Sequence, residues 1–366
     1  MKKTIYTKFL FILLIPITSS LFHIASLHPQ LIETVYANII YKQIMQILSS
    51  ITGIFPFSLA EFLVISLIFF FIKMFIQTIL CFIKNKNQRK FTILNCIGNM
   101  IVFVSIIYFV FIMIWGFNYC RLPFSKIANL EIKPSTVQEL EILCNHLIEK
   151  ANDLRSQVIE NKDGIMMLPK GSSDVFLRAS KGYEKAANIY PELGRKYGRP
   201  KRITFSHLMS YTGIAGIYCP FTGEANVNTA ISDSSIPSTA CHEMAHQRGF
   251  SREDEANYIA YLTCSMHPDK DFQYSGTLLA LIHSMNALYK VDLKKYKKLQ
   301  EKYSEGLKRD LSYLRSFWQQ YKGPIERTST RLNNAYLKAN HQKDGVHSYG
   351  RMVDLLLAEN RLKMTK

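Results

Sequence analysis

Apolar residues crowd the first third of this chain, and that limits its fold more than any other feature. Three segments stand out, at about residues 9–26, 57–83 and 96–117, before a remainder that reads as a water-soluble chain. The third has 22 largely apolar residues, and a helix of about 20 crosses the hydrocarbon of a bilayer. The first follows Lys2, Lys3 and Lys8, with small residues at 18–20, as a signal peptide would. No A-x-A cleavage site comes after it, so a retained helix is the better reading. Residues 1–120 are thus expected to be a membrane region with two to three transmembrane helices. Pro56 and the Ser58–Glu61 capping-box spacing start the second. Lys73 interrupts it, where a long side chain can carry its charge back to the interface. Trp115 and Tyr119 have the character of interfacial anchors.

Basic residues orient the spans. Lys84, Lys86, Arg89 and Lys90 lie between the second and third, while the loop at 28–55 has few basic residues. Positive loops stay in the cytoplasm, which puts everything after Arg121 outside it. Cleavage of the first segment would leave that topology unchanged. The formal charge of +17 raises the question of nucleic acid. Its lysines are interleaved with acids, as at 292–308, in the manner of a solvated helix face. No nucleic-acid-binding signature accompanies them, so anionic lipid is the expected partner and nucleic acid is not. The seven cysteines show no CxxC pair or regular spacing and read as free thiols.

The soluble part, 121–366, reads as α+β. Leu140, Leu143, Leu147, Ala151 and Leu154 recur at helical spacing within 136–157, opened by a Thr136–Glu139 capping box. Another helix is expected near 173–189. Short strands are expected at 203–206, 214–219 and 225–229, separated by Gly213 and the turn-like 220–223. Helices should follow at 237–247, 252–266, 276–289, 293–321, 325–340 and 346–362.

The chemistry lies in Cys241-His242-Glu243-Met244-Ala245-His246. Histidines four apart share one helix face and can present two nitrogens to one zinc ion. Glu243, about 100° around the helix, can address a metal-bound water without ligating the metal. Random placement of 10 His and 28 acids in 366 residues gives about 0.02 such matches. Pro237 starts the helix, Ala240 and Ala245 permit close packing, and Gly249 ends it. A catalytic zinc needs a third protein ligand. Six residues past His246 stands Arg252, which cannot serve, but acids follow at once in Glu253-Asp254-Glu255-Ala256-Asn257.

That stretch resembles the E-x-x-A-[D/N] signature of zincins whose third ligand is a glutamate. The resemblance makes Glu253 the ligand and Asn257 the residue that orients a zinc histidine; Glu255 is the rival ligand. It also implies an edge strand for substrate at 223–228, with Glu224, Asn226 and Asn228 on it. Tyr349, with His347 behind it, is the candidate donor to the oxyanion. More broadly, the chain resembles an uncharacterised bacterial family of polytopic membrane proteins with a zincin-like C-terminal domain. The matching stretches are 55–61, 115–119, 220–228, 242–257 and 345–356.

The expectation is a gluzincin-like zinc metallopeptidase of the bacterial membrane, with one Zn2+ per chain and a peptide or protein as substrate. His242, His246 and Glu253 hold the metal and Glu243 is the general base. The alternative is a non-catalytic membrane sensor or assembly factor that keeps the fold. Glu243 speaks against it, since a structural site has no use for a base.

Overall fold

The computed structural model describes residues 2–84, 86–340, 342 and 344–364. It is mostly helical with one small sheet. Three helical stretches are long and apolar enough to cross a membrane: α1 (Tyr6–Leu27), Leu59–Lys84 and Lys86–Ile114. Their outward faces carry exposed large apolar side chains such as Phe69, Phe75 and Ile83.

The stretch after α1, expected as a loop, is helical. It winds as a π-helix over Ile32–Tyr41 and continues as α2 (Lys42–Thr52). Each turn offers only a few buried positions (Tyr36, Tyr41, Met45), so no long apolar run betrays it. Those side chains join Phe22, Ile112, Trp115, Tyr119 and Tyr218 in a core of their own. The boundary at residue 120 runs through this cluster. Trp115 and Tyr119 are therefore buried against the soluble part rather than spread along a lipid surface.

The second span, α3 (Leu59–Lys84), begins at Ser58, whose Oγ accepts the Glu61 N–H at 3.2 Å. The other half of the expected capping box is missing. The Glu61 carboxylate instead accepts the backbone N–H groups of Thr204 and Phe205. A glutamate from far along the chain takes over the helix start: Glu224 accepts from the Leu59 and Ala60 N–H groups at 3.1 and 2.8 Å. Lys201 pairs with the same carboxylate and also donates to the Thr52 and Phe57 carbonyls. Unpaired N–H groups and the helix dipole favour an anion at such a terminus. The third span, α4 (Arg89–Ile114), packs against α1 and α3.

Beyond α4 the large core is built first by α5 (Val137–Arg155), capped by Thr136 and Glu139 as its sequence indicates. Three strands follow: β1 (Lys201–Arg202), β2 (Gly216–Cys219) and β3 (Glu224–Val227). Their order is β1-β3-β2, with β1 parallel and β2 antiparallel to β3. The first strand thus ends before 203–206, where Ser206 opens a short helix. The expected edge, 223–228, is the centre of the sheet.

The rest is helical: α6 (Ile236–Gln247), α7 (Glu253–Met266), α8 (Lys270–Val291), α9 (Pro324–Ala339) and α10 (Met352–Met364). The single helix expected at 293–321 is two, Leu293–Gln300 and Glu305–Gln320, because the Ser304 hydroxyl caps a new start by accepting the Leu307 N–H. Likewise 173–189 is divided into Gly171–Arg178 and Ser180–Ala187. All seven cysteines are free.

Removing Glu224 would strand a buried ammonium and two helix N–H groups. Breaking a buried pair from one side costs about 3–5 kcal/mol. Glu224→Ala should therefore lower the melting temperature of the detergent-solubilised protein markedly, and a change of under ~2 °C would show the clamp to be dispensable.

Candidate metal centre

The two histidines of the motif sit one turn apart on α6, which is wedged between β3 and α7. Ala240 and Ala245 are fully buried and allow that close approach. The helix ends in a turn at Gly249, whose φ of +84° suits glycine; a Cβ there would meet Asn118 and Tyr41 at 2.9 Å. The turn carries the chain straight into α7, so Glu253 in its first turn faces back onto α6.

The result is a convergence of three donor atoms. His242 Nε2 and His246 Nε2 are 3.1 Å apart, and Glu253 Oε2 lies 3.2 and 3.4 Å from them. The outer nitrogens fix the tautomers. His242 Nδ1 is 2.8 Å from Asn257 Oδ1, and His246 Nδ1 is 2.7 Å from the Phe250 carbonyl. Where Nδ1 donates to these oxygens, each Nε2 turns a lone pair inward. Glu253 Oε2, buried, has no hydrogen-bond partner. Three such atoms facing one point favour a positive charge among them, supplied by a proton on an imidazole or by a bound cation.

Burial alone would push His246 down, yet the Glu253 carboxylate beside it holds it up at about 9. Burial likewise disfavours the Glu253 charge, and the two histidines overcome that, bringing it down to about 2. His242, His246 and Glu253 together form a group that could hold a metal ion.

Glu243 faces β2 rather than this convergence. Burial raises it to about 7, against the pull of both histidines and a hydrogen bond from the Tyr218 backbone. Its carboxylate lies flat on Gly216, where a Cβ would come within 2.5 Å of Oε1. Because the Asn228 N–H donates to the Ala215 carbonyl, Gly216 and Tyr218 turn their backbone groups to the free edge of the sheet. The edge beside the site is thus β2.

Other anticipated residues fall as follows. Asn257 orients His242 and also donates to the Tyr349 carbonyl at 3.1 Å, tying two segments together. Tyr349 stacks near-parallel on His242, with centroids 6.5 Å apart, and its hydroxyl neighbours Glu253 and Asn333. His347 is exposed and lines neither cavity at the site. Glu255 is taken: its Oε1 accepts from the Phe124 N–H and from Arg252, away from the metal donors. Glu224, Asn226 and Asn228 are buried in the central strand. Asn226 bonds back to the Glu224 carbonyl and Asn228 to Ser210 and Ile214, and none of the three lines either cavity at the site.

A cleft with two arms meets at His242, Glu243 and Tyr349. One arm, about 840 Å³, is walled by Trp115, Tyr119, Ile217, Leu332 and Tyr336. The other, about 550 Å³, is more polar, with Thr212, Ser238, Thr239, His283 and Asn333. Sequence reasoning missed α9, Trp115 and Tyr119 as cleft walls. It also missed Tyr41, whose hydroxyl is 3.0 Å from that of Tyr218 and donates to the His246 carbonyl. No local pattern marks such long-range partners.

The fold and site together define a mostly helical, membrane-associated protein with a buried His-His-Glu cluster at the head of its spans. The chain belongs to the family described as a protein of unknown function, DUF3810, whose model matches residues 36–357. No curated protein and no solved structure matches it.

Orienting partners of metal histidines are typically worth about 10–100-fold in metal affinity. Asn257→Ala should weaken binding of a divalent ion by that factor in a chelator competition. Unchanged affinity would mean the His242 ring is held by packing alone.

Proposed function

We propose that this protein is a zinc-dependent peptidase anchored in the bacterial membrane, with a zincin-like site and the region after Arg121 outside the cytoplasm. The observation that carries the reading is the spacing of the three donors. Tetrahedral zinc ligands at about 2.0–2.1 Å lie roughly 3.3 Å from one another. The atoms of His242, His246 and Glu253 are 3.1, 3.2 and 3.4 Å apart. Two neutral imidazoles and a carboxylate are also the donor set of catalytic zinc peptidases. Among the described residues the cluster has three members and no fourth, which leaves a position for water and favours catalysis over a closed structural site.

Bound zinc would supply Lewis acidity, lowering the pKa of water and polarising a carbonyl. The remaining work falls to the chain. Glu243, held near pH 7 by burial, is poised to take a proton from the attacking water and pass it to the leaving amine. Gly216 makes room for that carboxylate. Tyr349 presents its hydroxyl beside Glu253, where it can donate to the carbonyl oxygen as negative charge develops. The outward backbone groups of Gly216 and the outward Tyr218 carbonyl can pair with an extended substrate as an added strand. The two arms let that substrate run past the site in both directions, which fits an endopeptidase.

Elemental analysis of the purified full chain tests the site first. About one zinc per chain is expected in the natural protein and in Glu243→Gln, and almost none in His246→Ala. Glu243→Gln should then lower peptide hydrolysis by at least about 10²-fold without loss of metal. Well-folded protein that takes up no zinc would overturn the reading in favour of a non-catalytic sensor or assembly factor. Protease digestion of intact cells checks the topology: a soluble region protected until lysis would place it on the cytoplasmic side.

A further inference from the structure

The apolar arm of the cleft opens where the membrane spans end, and its position limits what can be cut. Trp115 is the residue immediately after α4, and its indole packs edge-on to the His246 ring with centroids 5.9 Å apart. Tyr336 of α9 touches Phe111 inside α4, at 6.3 Å between rings, and its hydroxyl is 3.0 Å from that of Tyr119. The wall of the cleft and the outer end of the span are therefore the same structure.

Helix geometry gives the depth. The 26 residues of α4 are about 39 Å long at 1.5 Å per residue. The hydrocarbon they cross is about 30 Å thick. With Arg89 and Lys90 at one face, Trp115 lies roughly 7–9 Å beyond the other, buried in protein at the depth of the lipid headgroups. His246 is its direct neighbour. The metal cluster then lies only about 7–15 Å above the hydrocarbon, a gap that an extended chain closes in roughly two to five residues.

The lip of the cleft has the matching chemistry. Ile325, Leu332 and Tyr336 lie on one strip of α9, at spacings of seven and four, and are 60 %, 68 % and 40 % exposed. Ile217 on the free edge of β2 lines the same cavity and is 49 % exposed. Phe205 and Leu208, also exposed, flank the start of α3, where Glu61 accepts the Phe205 N–H. Single exposed apolar residues need no explanation, whereas a set that lines one cleft walled by the end of a span marks a membrane contact. The other arm adds Ser238, Thr239 and His283, and its apolar side chains, among them Ile214, Leu279 and Trp318, are partly buried rather than exposed.

We infer that the substrate is a membrane-anchored polypeptide, cut a few residues outside its anchor. Its juxtamembrane apolar stretch lies in the arm walled by Trp115, Leu332 and Tyr336, and its polar continuation in the arm of Thr212 and Ser238. This rests on the peptidase reading above and adds to it the kind of substrate and the depth of the cut.

The test uses the zinc-loaded full chain in phosphatidylcholine–phosphatidylglycerol vesicles. Two internally quenched peptides share one apolar cleavage sequence and one palmitoyl anchor, and differ in a spacer of about 4 or about 25 residues. Both are concentrated on the same membrane, so the comparison reads depth alone. The short-spacer peptide should be cut at least ten times faster. Leu332→Asp, with its zinc content verified, should lower that rate and shrink the difference. Equal rates, or faster cutting of the long-spacer peptide, would overturn the inference and leave the peptidase reading standing. No cleavage of either peptide, nor of the same sequence without an anchor, would overturn the peptidase reading and this inference with it.

Discussion

One buried arginine holds the apolar helices and the candidate metal centre in register. Arg121, the first residue past the 3₁₀ turn that follows α4, is 1 % exposed. Its guanidinium makes a forked contact with both Glu33 oxygens, at 2.8 and 2.6 Å. A third nitrogen reaches the Arg248 carbonyl, and the plane lies over the Phe250 ring at 4.0 Å. Phe250 in turn supplies the carbonyl that orients His246. A charge buried so deeply persists only when paired and fully bonded, and a planar fork matches a carboxylate in a way that lysine cannot. The helical stretch that contributes Glu33, the exit of α4 and the turn behind the zinc-type motif are thus fixed by one group.

The same logic explains why the turn at Gly249 is so tightly enclosed. Tyr41 and Asn118 press on it from the membrane side, and Tyr41 adds a hydrogen bond to the His246 carbonyl. A site that is to bind a metal ion has to hold its ligands to a fraction of an ångström, and that precision would come from the shell behind them. Here much of the shell is supplied by residues 28–52 and 115–121, which precede the motif by more than a hundred positions.

What was legible in the sequence follows from this. The spans, the α6 motif and the Thr136 cap are local patterns, written within a few turns of one helix, and they needed no partner to be read. The strand order was not legible. Strands of two to four residues carry no pairing information, so nothing distinguished 223–228 as a central strand from an edge. Glu224 illustrates the cost: an acid beside a turn looks available to substrate until α3 places two N–H groups upon it. The helix over 32–52 was hidden for a related reason. Its buried side chains meet Trp115 and Tyr218, whose positions depend on the whole fold.

Were the spans merely a tether, the soluble part would bring a complete cleft of its own. It does not, because Trp115 and Tyr119 wall one arm and Tyr41 supports the helix that carries both histidines. Excision at residue 121 would remove all three and leave Arg121 without Glu33, a buried cation without its counter-charge. Isolated fragments would therefore test a damaged site. The physical unit of this protein is the joint between the apolar helices and the sheet, where the end of α4 leads straight into a wall of the cleft. The apolar helices and the cleft are consequently coupled, and a substitution at that joint alters both together.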